Sequence, residues 1–153
     1  MKGKALILTL AVLAILTQSF ILEDQQGSAS GSKFRFKAFL GCSSDTSFVN
    51  KERFDQLAVL PLCAKDSNNT VFKIVSFDIT YAERGLYQDS TGLPIVFTDY
   101  SNVSCTGDTI PSRWINIFKE RGYRGDTIMF DRILVRTSEN KTQMCKAMRV
   151  ILR

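Results

Sequence analysis

The chain has 153 residues, is 44% hydrophobic and 23% charged, and carries a formal net charge of +5 with no histidine. That length and composition suit one globular domain with an apolar core of its own. The missing histidine removes the commonest general base, the commonest zinc ligand and the centre of a Ser-His-Asp triad. Basic residues are interleaved with acidic ones, so no concentrated nucleic-acid face is expected.

Lys2 and Lys4 form a short basic region, and Ala5 to Leu16 is apolar apart from Thr9. Thr17, Gln18 and Ser19 then interrupt the run with small and polar residues. This pattern predicts a secretory signal peptide over 1–19, with cleavage after Ser19 and a second site near Ser28 to Ser30. The competing reading is an uncleaved anchor, because Phe20, Ile21 and Leu22 extend the apolar run. Residues 20–33, rich in Gln, Gly and Ser, read as a flexible lead-in. Residues 34–153 form the expected single β-rich domain.

Phe34 to Phe39 alternates apolar and basic residues and predicts a first strand, with Phe34, Phe36 and Ala38 on one face. Gly41 to Asp45 reads as a loop. Asn50 is placed to cap a short helical turn reaching Asp55. Leu57 to Leu62 reads as a short strand whose Pro61 puts it at a sheet edge or strand end. Lys65 to Asn69 is a turn. Val71 to Tyr81 has the clearest alternation, with Val75, Phe77, Ile79 and Tyr81 on one predicted buried face. Glu83 to Gly85 and Gln88 to Gly92 are turn signals, Leu93 to Thr98 is a strand, and Ser101 to Asp108 is a polar loop carrying Cys105.

Pro111 to Arg121 is the one clear helix. Pro111 suits its first turn, Trp114, Ile115, Ile117 and Phe118 make its apolar stripe, and Gly122 stops it. Trp114 is expected in the core. Arg124 to Asp126 reads as a turn rather than an integrin-binding tripeptide, because the turn and the following strand, Thr127 to Arg136, explain all three residues. Ser138 to Asn140 is a further turn, and Met144 to Leu152 a last strand. The expected architecture is mainly β: an antiparallel sheet or Ig-like β-sandwich with one short helix between strands, disulfide-bonded.

Four cysteines, Cys42, Cys63, Cys105 and Cys145, follow the predicted signal peptide. An even count in an exported chain predicts disulfides. Three pairings are open, and Cys42–Cys63 with Cys105–Cys145 would each staple neighbouring elements. Free buried thiols and a zinc site are the alternatives, the latter lacking any Cys-x-x-Cys pair. Asn68, Asn102 and Asn140 each begin an N-glycosylation triplet in a predicted loop. The acidic pairs Asp126/Asp131 and Glu52/Asp55 read as solvated surface charge rather than acid–base or calcium sites. No catalytic, cofactor-binding or metal residues are predicted.

Val71 to Phe77, the helix, Gly125 to Ile133 and the final apolar strand together resemble the C-terminal periplasmic domain of GldM/PorM proteins. The resemblance covers roughly residues 41–153 and is carried by the order of the segments and by the pairs Ser76-Phe77 and Phe130-Asp131. It implies an Ig-like, β-rich periplasmic domain linked to the gliding and type IX secretion motor, whose full-length members form a dimeric rod. The four cysteines are not part of that pattern, and the family's other periplasmic domains are missing here. The expectation is therefore a stand-alone, non-catalytic, periplasmic or secreted domain that binds a protein partner through a sheet edge or strand face. Nucleic acid is not an expected partner, and a membrane is one only through an uncleaved N-terminal segment. The alternative functions are a secreted disulfide-bonded inhibitor or adhesin and, third, a carboxylate-dependent hydrolase.

Overall fold

The computed structural model, which describes residues 34–43 and 46–153, is built on one strand, β4 (Val71–Gln88). The expected signal peptide and lead-in lie outside the described residues. Before β4 come β1 (Lys37–Phe39), a 3-10 turn (Leu40–Cys42), β2 (Phe48–Val49), helix α1 (Lys51–Ala58) and β3 (Cys63–Lys65). After it come β5 (Pro94–Thr106), helix α2 (Ser112–Arg121), β6 (Thr127–Arg136), β7 (Thr142–Met144) and β8 (Met148–Leu152). The strands join into one eight-stranded sheet in the order β1-β3-β4-β6-β8-β2, with β5 also paired to β4 and β7 to β6.

The fold is thus mainly β, as the alternation requires, and its sheet is mixed. All strand pairs are antiparallel except β2 with β8. Between β7 and β8, Lys146 forms an isolated parallel bridge with Lys37 of β1. Its N–H donates to the Phe36 carbonyl at 3.1 Å. The sheet therefore curls until its first strand meets the chain that follows β7.

β4 explains the core. Phe77, Ile79 and Tyr81 are buried on one parity, as the alternation predicts, but Ile74 is buried on the other and Val75 is only half-buried. The pairing with β6 shifts register between Ile74 and Ser76 and again between Ser76 and Asp78. A β-bulge inserts an extra residue and re-aims the side chains beyond it, so both parities reach the same core. Phe77 lies 6.0 Å from the ring of Phe130 on β6.

Two helices cover the sheet where one was expected. Asn50 caps α1, its Oδ1 accepting the Arg53 N–H at 2.9 Å. The capped turn then runs on to Ala58 and takes in Leu57, which sequence reading gave to a strand. Phe54, Leu57 and Ala58 recur at helical spacing and are buried together, and this outweighs the local strand signal. The helices meet through Phe54 and Phe118, whose rings are 5.4 Å apart edge to face. Phe118 also packs edge-on against Tyr81 at 5.3 Å. Trp114 is half-buried at the rim of this cluster, 5.7 Å from Phe118. Gly122 stops α2 without a left-handed backbone (φ −59°). Its role is space, since a Cβ there would sit 2.4 Å from the Phe118 carbonyl oxygen.

Of the two expected disulfides, Cys42–Cys63 is present and ties the 3-10 turn to β3. Cys105–Cys145 is not: both cysteines are free and buried. Cys105 stands on β5 opposite Phe77 of β4. Cys145 follows β7, and its N–H donates to the Ile133 carbonyl of β6 at 2.8 Å. Strands β4 and β6 lie between the two positions in the sheet. Burial pushes the Cys145 thiol up to about 11, against a smaller opposing effect of the Lys146 N–H. Burial, with the charge of Asp78, raises Cys105 as well. Iodoacetamide should therefore leave Cys105 and Cys145 unlabelled in the native protein and label both after unfolding. Non-reducing peptide mapping should recover Cys42 joined to Cys63, and native labelling of either free thiol would contradict the burial.

Candidate functional site: a hairpin arm and its free edge

β4 is longer than its cover. β6 pairs with it only as far as Ala82, opposite Thr127. β5 follows β4 through an unbroken antiparallel register from Ser76–Thr106 to Gln88–Pro94. Beyond Ala82 the two strands continue as a two-stranded arm. The outer edge of β5 has no strand partner among the described residues. At the tip, Asp89 Oδ1 accepts the backbone N–H groups of Thr91 and Leu93, both at 2.9 Å, and the Thr91 hydroxyl at 2.7 Å. These bonds, with the Thr91 hydroxyl first, lower the Asp89 pKa, as hydrogen bonds to a charged form do.

The arm inherits the patterning of the sheet after the core has ended. The face that carries Phe77, Ile79 and Tyr81 goes on as Glu83, Gly85 and Tyr87, opposite Asp99, Phe97 and Ile95. The Phe97 ring lies on Gly85, where an added Cβ would come within 2.2 Å of it. Glu83 to Gly85 is therefore strand and not the expected turn: Gly85 is there for close approach. Tyr87 packs edge-on against Phe97 at 5.9 Å. The opposite face holds Leu86 across from Val96, and Tyr100 across from Ala82. Leu86 is 68% exposed, Tyr100 62%, Val96 56% and Phe97 45%.

What fixes the base of the arm is a buried carboxylate. Asp126 is fully buried. Its Oδ2 accepts the Tyr81 hydroxyl at 2.7 Å and the Tyr123 N–H at 2.8 Å, and its Oδ1 accepts the Arg84 N–H at 2.8 Å. The Arg84 bond takes up a β4 N–H just where β6 stops. Gly125 at φ +98° makes the turn that aims Asp126 inward. The turn reading of Arg124 to Asp126 thus agrees with the structure. The reading of Asp126 as solvated charge does not, because three donors replace its water.

The other singled-out residues fall elsewhere. Asp131 and Asp78 face each other across β6 and β4 on the outer side of the sheet. Together with Asn102 and Arg132 they line an open depression of ≈350 Å³. Like charges directly opposite destabilise a sheet. Arg132, at positive φ, supplies the counter-charge by pairing with Asp78. Asp55 pairs with Lys51 at 2.6 Å. Asn68 and Asn140 are exposed in turns, and Asn102 is exposed on β5 rather than in a loop. The expected loop from Ser101 is strand as far as Thr106, since β4 supplies a partner for every residue. The arm itself was missed. Its signal was present: apolar residues on both sides of Gln88 to Gly92, the hairpin pattern.

Burial, then the hydrogen bond to Asp126, pushes the Tyr81 phenol well above its ordinary value of 10.0. A raised folded pKa gives stability that is intact below the unfolded pKa, about 10, and lost as pH climbs beyond it. Unfolding free energy from urea titrations should fall as pH rises above about 10, and Tyr81→Phe should flatten that fall. At neutral pH Asp126→Asn should cost about 3 kcal/mol, because its amide cannot accept from all three donors. An Asp126→Asn protein of wild-type stability would contradict the role of the carboxylate.

No protein-family model matches the chain, and no curated protein or solved structure matches it either.

Proposed function

We propose that this chain is an exported, non-catalytic protein-interaction domain whose contact surface is the β4–β5 arm together with the free edge of β5. The observation that carries the reading is the composition of that edge. Over Pro94–Thr106 it has one charged residue, Asp99, no lysine and no register shift. Natural sheets protect exposed edges with charges, bulges or short strands; this edge is long and unbulged, and Asp99 is its one charge. Seven exposed apolar side chains, Leu86, Tyr87, Leu93, Ile95, Val96, Phe97 and Tyr100, cluster on the arm. At roughly 100 Å² each they offer about 700 Å² summed over both faces of the arm, which a partner would meet in full only by wrapping it, against the ~800 Å² that one partner contributes to a standard interface. An added strand would take main-chain hydrogen bonds from the edge and seat side chains among these residues.

Export is supported by the N-terminal pattern and by the Cys42–Cys63 disulfide, a bond favoured in oxidising compartments. Among the described residues no helix is long and apolar enough to cross a membrane. The resemblance to the GldM/PorM terminal domain supports an Ig-like reading of the curled sheet. It also supports a partner in the gliding or type IX secretion apparatus.

A photocrosslinking residue placed at Val96 or Tyr100 should give a discrete adduct with one envelope protein, and one placed at Lys119 on α2 should not. The paired change Val96→Lys and Tyr100→Lys, at exposed sites, should leave the thermal midpoint within a few degrees of wild type and abolish capture of that protein. Equal adducts from arm and helix, or capture undiminished by the lysines, would refute the assignment.

A further inference from the structure

The other end of β4 carries a different surface. Val71 and the two residues after it pair with β3, and β3 pairs with β1. Lys37 of β1 lies directly opposite Lys65 of β3 on one side. On its other side it bridges Lys146. Three ammonium groups therefore stand in a row across three adjacent chains, where neighbouring Cβ atoms are about 5 Å apart. Arg35, exposed and two residues before Lys37, adds a fourth cation. None of these four takes part in an ion pair among the described residues.

The surroundings offset only part of the row's charge. Lys37 and Lys65 both lie over one ring, Phe39, at 5.3 and 5.0 Å from its centroid. Lys65 also donates to the Cys42 carbonyl at 3.4 Å. Asp66 is the acid that lines the same groove. Its Oδ1 is occupied by the Asn68 and Thr70 N–H groups of its own turn. Glu139, in a small cleft shared with Arg35, pairs with Lys141. Cross-strand like charges weaken a sheet, so an external anion would stabilise this one.

We infer that the Arg35, Lys37, Lys65 and Lys146 surface, with Phe34 and Phe39, docks on the anionic phospholipid headgroups of a membrane face. Three features select that occupant. Three of the four cations are lysines, point charges that read a diffuse field, whereas a forked carboxylate or single phosphate is better met by paired guanidiniums. The hydrophobic members are aromatic: Phe34 is 46% exposed, and rings beside cations suit the boundary between headgroups and acyl chains. The groove, ≈410 Å³, is shallow and open. The inference does not depend on the arm. It does give the arm an orientation, since β4 spans roughly 55 Å from this end to the tip.

The test is flotation of the exported protein with vesicles of phosphatidylcholine alone and of phosphatidylcholine with phosphatidylglycerol. Binding should be stronger to the anionic vesicles and fall as salt rises. Changing Lys37, Lys65 and Lys146 together to Gln should weaken anionic binding about a hundredfold, near fivefold per lysine. Changing Lys119, Arg124 and Arg149 to Gln, with the same loss of charge, should leave it nearly unchanged. Circular dichroism of both triple variants should match the parent. Equal binding to neutral and anionic vesicles, an equal loss in the two triple variants, or binding to poly-glutamate with none to anionic vesicles would each overturn the proposal.

Discussion

The Asp126 carboxylate is the constraint on which the two halves of the sheet depend. A buried carboxylate is tolerable only when its lone pairs are filled. Here a phenol and two backbone N–H groups fill them. The Arg84 bond matters most for the architecture. β4 loses its β6 partner after Ala82, and the carboxylate takes over where the ladder ends. The same turn is tied to the last strand: Gly125 N–H donates to the Leu152 carbonyl at 2.8 Å, and Leu152 N–H to that of Asp126 at 2.9 Å. The backbone of this turn thus ties the start of β6 to the end of β8, and its carboxylate holds β4 where it leaves the core.

β4 therefore has two environments along one pattern. As far as Ala82 its inner face lies under Phe118 and beside Phe130. After Ala82 the same face meets only its hairpin partner, and the contacts that remain are cross-strand ones such as Tyr87 with Phe97. Pairs of this kind contribute about 0.2–1 kcal/mol each, far less than burial of a whole aromatic side chain in a core. The arm is thus joined to a strongly held body but is itself held by local pairing, and isolated two-stranded ribbons are marginal in water.

Much of the framework was legible because period alone decides it. Thr127 to Arg136 is β6 with the bounds that sequence reading gave, although its buried parity changes between Phe130 and Ile133. The α2 stripe and the Asn50 cap are equally local signals. The failures come from contacts distant in sequence. Glu83 to Gly85 carries a turn signal, yet Phe97 needs the missing Cβ of Gly85, and no local pattern reports that. Ser101 to Ser104 is polar because its outer edge and much of its surface meet water, and polarity was read as loop. The bulge in β4 reverses parity at Ser76, which hid Ile74 from the predicted core. Asp126 lay in a short polar motif with two familiar readings, neither of which predicts a carboxylate in the core.

The remaining question is why an edge like β5 should be left bare. A strand paired on one side for its whole length, with Phe97, Tyr100 and Val96 exposed beside it, is a template for unwanted association. Lysine is the usual guard, and the chain does not lack it: Lys37, Lys65 and Lys146 are spent in a row at the other end of β4, where they repel one another. Solubility alone would be better served by moving one of those charges to the arm. The observed distribution concentrates apolar surface at one end and unpaired positive charge at the other. Each end is unfavourable in isolation, and a different class of surface would relieve each, an added strand at the arm and an anionic layer at the lysines. The two surfaces lie at opposite ends of β4, so an added strand at one and an anionic layer at the other would not compete for the same residues.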